Sequence, residues 1–360
     1  MRIVVLGLSI TSSWGNGHAT TWRALIRALS ARGHRVTFLE RDQPWYADNR
    51  DMPEPPFCRT HLYDSLGGLE QRHAQAVASA DLVVVGSYVP DGIAVIDWVL
   101  ATARGQVAFY DIDTPVTLAK LDAGGCGYLS AAQMPRFDLY FSFTGGPTLD
   151  RLARDYGVRR PRALYCSVDP EIHKPIPGPW TWDLGYLGTY SPDRQPMLDR
   201  LLTEPARRLP DRRFAVAGPQ YPDDIRWPGN VEHIAHLGPD LHRSFYCAQR
   251  FTLNVTRADM TAAGWSPSVR LFEAAACGVA ILSDRWEGLD TLFTPDREIL
   301  IRDRSEEVVD LLQRLSDAEV RAIGARARAR ILAAHTSAHR AQELERQVAE
   351  SAVSRRAVPA

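Results

Sequence analysis

Lysine is nearly absent from this 360-residue chain: Lys120 and Lys174 are the only two, and arginine supplies the other 40 of its 42 basic residues. The arginines are spread along the sequence among 43 acidic residues, and the formal net charge is −1. A chain so balanced has no bulk attraction to nucleic acid or an anionic membrane, so neither is expected as a partner. The arginine excess reads as compositional bias, with room for one buried phosphate-binding arginine among many solvated ones. Cysteine is sparse too: residues 58, 126, 166, 247 and 277 form no CxxC pair and no regular framework. That excludes a disulfide scaffold and points to reduced thiols in the cytosol. No apolar run approaches the roughly 18 residues of a membrane span, so no integral membrane segment is expected. The run at residues 1–7 is too short for a signal sequence and leads into a glycine-bearing polar turn, so it reads as a buried strand. A cytoplasmic protein is the expectation.

What is present is an alternation of strands and helices. Hydrophobic residues make up 45% and charged residues 24%, as in ordinary globular proteins. The length exceeds what one core commonly serves, so two α/β domains are expected. Short apolar runs at 3–6, 36–39, 82–85, 107–110 and 139–143 read as strands buried on both faces. Between the first two, Trp22, Leu25, Ile26 and Leu29 fall at helical spacing, and Gly33 ends that helix. Pro170, Pro175, Pro177 and Pro179 crowd a passage that can be neither helix nor central strand, which places a linker at 166–180. A second series follows, with strands at 184–187, 214–217, 251–255, 279–282 and 299–301. Helices are expected at 196–202, 241–248, 269–276, 306–315 and through most of 317–352, with a frayed tail from Ser351. The domains are then 1–165 and 181–350, each Rossmann-like, with ligands at the carboxyl ends of parallel strands.

Three constellations carry chemistry. The first is the loop after the opening strand, ending in Gly15-Asn16-Gly17-His18 at a helix start. Helix-start N–H groups suit an anion or a sugar hydroxyl, so Asn16 and Gly17 are acceptor-side candidates, and His18 is a candidate for proton transfer. Glu40 invites a dinucleotide reading, but the glycines at 7, 15 and 17 do not make GxGxxG. The second is Asp111-Ile112-Asp113 at a strand end. Its carboxylates can orient a substrate, accept a proton or hold a divalent metal; a polar acceptor-side role for Asp111 and a catalytic one for Asp113 are favoured over metal binding. The third, and most specific, runs from Gly264 to Gly278. Ser266 or Ser268 caps a helix, Pro267 suits its first turn and Gly278 ends it. That helix start can hold a diphosphate, with Arg270 as partner and Glu273 accepting the two hydroxyls of a ribose. Strand-end turns at Gly188-Thr189 and Trp286-Glu287-Gly288 converge on the same site, the tryptophan as a sugar or base platform.

These residues resemble the GT-B glycosyltransferases, in particular the group similar to the spore-maturation protein CgeB. The resemblance covers nearly the whole chain and is strongest in the N-terminal loop through Thr21, in residues 111–117, and in 267–278 with Trp286-Glu287-Gly288. Residues 166–170, Cys-Ser-Val-Asp-Pro, also resemble the passage by which many such chains leave the first domain. The resemblance implies two Rossmann-like domains facing across a cleft, a nucleotide-sugar donor site in the second and an acceptor site in the first. It also implies no cofactor beyond the donor, no essential metal, and a C-terminal helix that crosses back to the first domain. Glu273 matches the acid that holds the donor ribose, Gly188 and Thr189 the first phosphate-side turn, and Ser268–Arg270 the diphosphate contact. Trp265 stands where the retaining pattern has a second glutamate. That departure leaves room for an inverting reaction in which His18 or Asp113 deprotonates the acceptor hydroxyl. The alternatives are a nucleotide-sugar epimerase, which would turn over without an acceptor, and a non-catalytic assembly protein on the same scaffold.

Overall fold

A computed structural model describes the backbone of residues 1–357 and side chains to residue 353. Two units result, one built from Met1–Tyr165 with the segment from Ser337 onward, the other from Cys166–Thr336.

The first unit holds seven strands: β1 (Arg2–Gly7), β2 (Arg35–Arg41), β3 (Arg59–Tyr63), β4 (Leu82–Gly86), β5 (Gln106–Asp111), β6 (Leu139–Ser142) and β7 (Pro161–Ala163). All neighbours are parallel, in the order β3-β2-β1-β4-β5-β6-β7. The apolar runs of β4, β5 and β6 are buried throughout, as strands covered on both faces must be. The order reverses between β1 and β4, and at such a switch point ligands meet the carboxyl ends of the strands. The helix Gly17–Ala31 starts there and buries Trp22, Leu25, Ile26 and Leu29. Glycine at the ends of β1 and β4 lets the Trp22 ring lie close: a Cβ on Gly86 would come within 2.8 Å of it.

The helix expected through most of 317–352 is two helices, Asp317–Ala334 and Ser337–Ala357. It breaks where Thr336 forms a β-bridge with Val168. The second of these helices belongs to the first unit, so residues 337–350 do not lie in the second domain as expected. Glu345 accepts two hydrogen bonds from the Arg32 guanidinium, at 2.7 and 2.6 Å, and Gln106 Nε2 donates to the Val348 carbonyl at 2.9 Å. Helix continues to Ala357 through the tail expected to fray from Ser351, which is buried, and residues 358–360 lie outside the described residues.

The second unit holds β8 (Trp182–Leu187), β9 (Phe214–Ala217), β10 (Val231–Ile234), β11 (Gln249–Asn254), β12 (Ala280–Ser283) and β13 (Leu300–Ile301). They are again all parallel, in the order β10-β9-β8-β11-β12-β13, with the switch point between β8 and β11. Between Ala163 and Trp182 the proline-rich passage carries no helix or strand. Among the described residues no helix is long and apolar enough to cross a membrane.

Candidate functional site

In the second unit the expected donor residues gather at the β8–β11 switch point. The helix Val269–Ala276 starts there, with Ser268 at its N-cap and left-handed Gly278 after its end. Pro267 precedes the helix instead of sitting in its first turn. The Ser268 hydroxyl donates to Asn254 Oδ1 at 2.7 Å and does not close the helix, so the first-turn N–H groups lack a side-chain cap. Arg270 is buried and spans the switch point: its Nε donates to the Leu187 carbonyl at 2.6 Å and its Nη1 to Asn254 Oδ1 at 2.8 Å. Both acceptors are neutral. Its guanidinium also lies 4.7 Å from the centre of the Tyr186 ring. Gly188 is open backbone because nothing larger fits, since a Cβ would come within 2.8 Å of Arg270 Nη2.

Arg194 is the residue that the sequence reading missed. Its Nη2 donates to the Thr189 carbonyl at 2.5 Å, and its Nε is buried without a hydrogen-bond partner. Burial lowers its pKa, and the positive charges of Arg270 and Arg257 lower it further. Two guanidiniums thus converge on the Gly188-Thr189 turn, a position that favours a bound anion. The Pro-Asp-Arg run after β8 was a usable signal, but one arginine among 40 carries little information until its burial is known.

Glu273 projects from the same helix into a pocket of polar rings. The Tyr246 hydroxyl donates to its Oε2 at 3.2 Å, His173 Nε2 stands 3.7 Å from Oε1 and His242 Nδ1 3.9 Å from Oε2. His173 Nε2 has no hydrogen-bond partner. Burial pushes the Tyr246 hydroxyl well above its ordinary pKa and lowers that of His242. Ser266 is buried. Buried Asp284 accepts from the Thr256 amide and hydroxyl, both at 2.9 Å, and ties the end of β12 to that of β11.

Trp286 is only 5% exposed and its Nε1 is buried without a partner, so it is part of the core and not an open platform for a sugar or base. Glu287 is exposed, and its carbonyl accepts from the Trp265 amide at 2.6 Å. Gly288 caps the short helix Leu289–Leu292. Trp265 adopts a left-handed φ of 41° and packs on Gly288, whose missing Cβ leaves room for the indole. A bulky residue rarely holds that backbone conformation.

In the first unit His18 and Asp113, considered singly as bases, are brought together: His18 Nε2 lies 3.6 Å from Asp113 Oδ2. They come from the ends of β1 and β5. Asn16 caps the helix, accepting from the His18 amide at 3.0 Å and donating to the Ser12 carbonyl at 3.2 Å, while Gly17 is exposed. The His18 ring meets Tyr88 edge-on at 5.3 Å, and its Nδ1 is buried without a partner. Glu40 is fully buried and accepts from Ser9, Ile10 and Thr11, which makes it a clamp on the loop and no ribose ligand.

Asp111 does not line open space. It is fully buried, and its oxygens accept from the Thr117 and Tyr140 hydroxyls at 2.7 Å each, which does not fit the acceptor-side role expected of it. Burial pushes its carboxyl up to about 6, and the charge of Asp113 adds to that effect. The folded chain therefore binds this proton more tightly than the unfolded one. Its stabilisation is present at low pH and is lost as pH rises from about 4 to about 6, on the order of 3 kcal/mol in total. Urea midpoints across that window should fall more in wild type than in Asp111→Asn; equal slopes would exclude Asp111 as the cause.

Residues 194–346 match a family model described as glycosyl transferase-like. Among curated proteins none matches the sequence. Solved structures of the same architecture include the sucrose-phosphate synthase of Thermosynechococcus elongatus, at TM-score 0.71 and 14% identity over 98% of this chain and 100% of that one. Anabaena HepE in complex with UDP and glucose superposes at TM-score 0.68 and 13% identity, over 97% and 100%. An Escherichia coli trehalose-6-phosphate protein bound with UDP-2-fluoro glucose does so at TM-score 0.65 and 13% identity, over 97% and 99%. Likeness at such identity shows a shared fold. The chain therefore has the GT-B fold of two parallel α/β sheets that these structures share, and its residues 194–346 are similar to the glycosyl transferase-like family.

Proposed function

We propose that the protein transfers a glycosyl group from a UDP-sugar, bound by the second unit, to an acceptor hydroxyl bound by the first, without a metal. The observation that carries this reading is the pair Arg194 and Arg270. Arg270 is buried and Arg194 half-buried with its Nε out of solvent, neither is neutralised by a hydrogen-bonded carboxylate among the described residues, and both converge on the Gly188-Thr189 turn beside a helix start. That arrangement suits a diphosphate, and it stabilises the charge that develops on the departing nucleotide. Glu273 lies one turn further along the same helix, and its Oε1 accepts no hydrogen bond among the described residues, which suits the hydroxyls of a ribose. Uridine as the base is supported by HepE and the E. coli protein, whose structures contain UDP and UDP-2-fluoro glucose. In the first unit, His18 accepts the proton of the acceptor hydroxyl, and Asp113 orients the ring and stabilises the imidazolium.

Calorimetric titration with UDP, and transfer assays over a panel of UDP-sugars in the presence of a chelator, test the reading together. Glu273→Ala should weaken UDP by roughly tenfold or more, as the loss of charge-assisted hydrogen bonds does. Unchanged affinity would remove the ribose assignment, and activity lost to the chelator would remove metal independence.

A further inference from the structure

Two cysteines 30 residues apart in sequence meet in the second unit. Cys247 is the last residue of the helix Pro239–Cys247, and Cys277 is the C-cap of the helix Val269–Ala276. Both thiols line one cavity of about 290 Å³, and each shifts the other's titration. Ile176, Trp180 and Arg328 contribute to its wall. Cys277 is buried and Cys247 is half-buried. The Ile176 amide donates to Cys247 Sγ at 3.3 Å, and the Cys247 thiol donates to the Lys174 carbonyl at 3.7 Å. The S–H of Cys277, the Ile176 amide and the charge of Arg243 bring the Cys247 thiol down to about 7 against its burial, while the Cys277 thiol is pushed up. Cys247 is therefore the nucleophile of the pair, and Cys277 keeps its proton. The other three cysteines lie outside this cavity.

We propose that Cys247 and Cys277 form a hydroperoxide-reactive dithiol that closes reversibly to a disulfide and weakens donor binding. In the first step the Cys247 thiolate attacks the terminal oxygen of a hydroperoxide. An S–O bond forms, the O–O bond breaks, and the departing alkoxide or hydroxide takes a proton to leave as alcohol or water. In the second step the Cys277 sulfur attacks the sulfenic sulfur of Cys247. The S–S bond forms, and the expelled hydroxide takes the Cys277 proton to leave as water. Two thiols and one hydroperoxide thus give one disulfide, one alcohol (or water) and one water.

The link to the donor rests on the proposed role of Glu273. The Cys277 amide donates to the Glu273 carbonyl at 3.0 Å, closing the last turn of the helix that carries the carboxylate. A disulfide holds the two sulfurs at about 2.05 Å, which draws that helix end toward the neighbouring helix.

The full-length protein is treated with hydrogen peroxide, digested without reduction and analysed by mass spectrometry, and UDP is titrated into the reduced and oxidised forms. A linked peptide pair containing Cys247 and Cys277, reversed by dithiothreitol, is the expected product. Cys277→Ser should stall at a Cys247 sulfenic acid that dimedone traps. UDP should bind the oxidised form about tenfold more weakly, an ordinary size for coupling between sites. Absence of the linked pair, or oxidation of all five cysteines at one rate, overturns the dithiol; the wild-type result decides this even where the variant does not fold. A linked pair with unchanged UDP affinity overturns the coupling. Failure of the reduced protein to bind UDP overturns the donor reading and leaves the dithiol standing.

Discussion

Replacing His18 with alanine is expected to abolish most glycosyl transfer while leaving UDP affinity unchanged. Positioned general bases contribute about 10²- to 10⁴-fold to rate, and a loss in that range is expected here. His18 is held by its place in the first turn of a helix that Asn16 caps, and its Nε2 lies 3.6 Å from an Asp113 oxygen. A carboxylate at that distance fixes the ring and favours the imidazolium formed when the acceptor loses its proton. The residues proposed to bind the nucleotide all belong to the other unit, so binding and turnover are expected to separate in this variant. Initial rates with saturating donor, together with UDP titration, make the comparison. Turnover within a few-fold of wild type would remove His18 from the chemistry, and a parallel loss of UDP affinity would make it a structural residue.

Arg270→Ala is expected to weaken UDP by roughly two orders of magnitude, about 3 kcal/mol, because a buried charge-assisted contact is removed where water does not replace it. The same change removes the Arg270 donor from the Leu187 carbonyl, at about 1–3 kcal/mol for a buried group left unmet, and leaves Asn254 Oδ1 with the Ser268 hydroxyl alone. Arg270→Lys should recover only part of either effect, since an ammonium lacks the planar fork that spans two strand ends. Uridine separates the electrostatic role from the structural one. If Arg270 meets the diphosphate, UDP affinity falls far more than uridine affinity; an equal fall of both makes Arg270 a brace for β8 and β11 and nothing more.

Much of the core was legible because central parallel strands are continuous apolar runs. The ten expected strands all form, and the helix built on Trp22, Leu25, Ile26 and Leu29 buries those four residues. The three strands that were not anticipated, β3, β7 and β10, are edge strands. Arg59–Tyr63 is exposed at most positions and opens with three polar residues, Arg59, Thr60 and His61, so no apolar run announces it. The break at His335-Thr336 was hidden for another reason: each flank is helical by composition, and only the pairing of Thr336 with Val168 interrupts it.

The sequence by itself determined the two α/β halves, the proline-rich passage between them, and the Ser268–Glu273 helix start, because burial patterns and backbone restrictions are local properties. Tertiary structure decided what the polar residues do. It withdrew Trp286 and Asp111 into the core, bound Glu40 to the loop after β1, and set Arg194 beside Arg270 across 76 residues of sequence. The role of a charged or aromatic side chain depends on its burial and on partners that only the folded chain brings within reach. The nearly lysine-free composition offered 40 arginines, and folding singled out the two at the β8–β11 switch point.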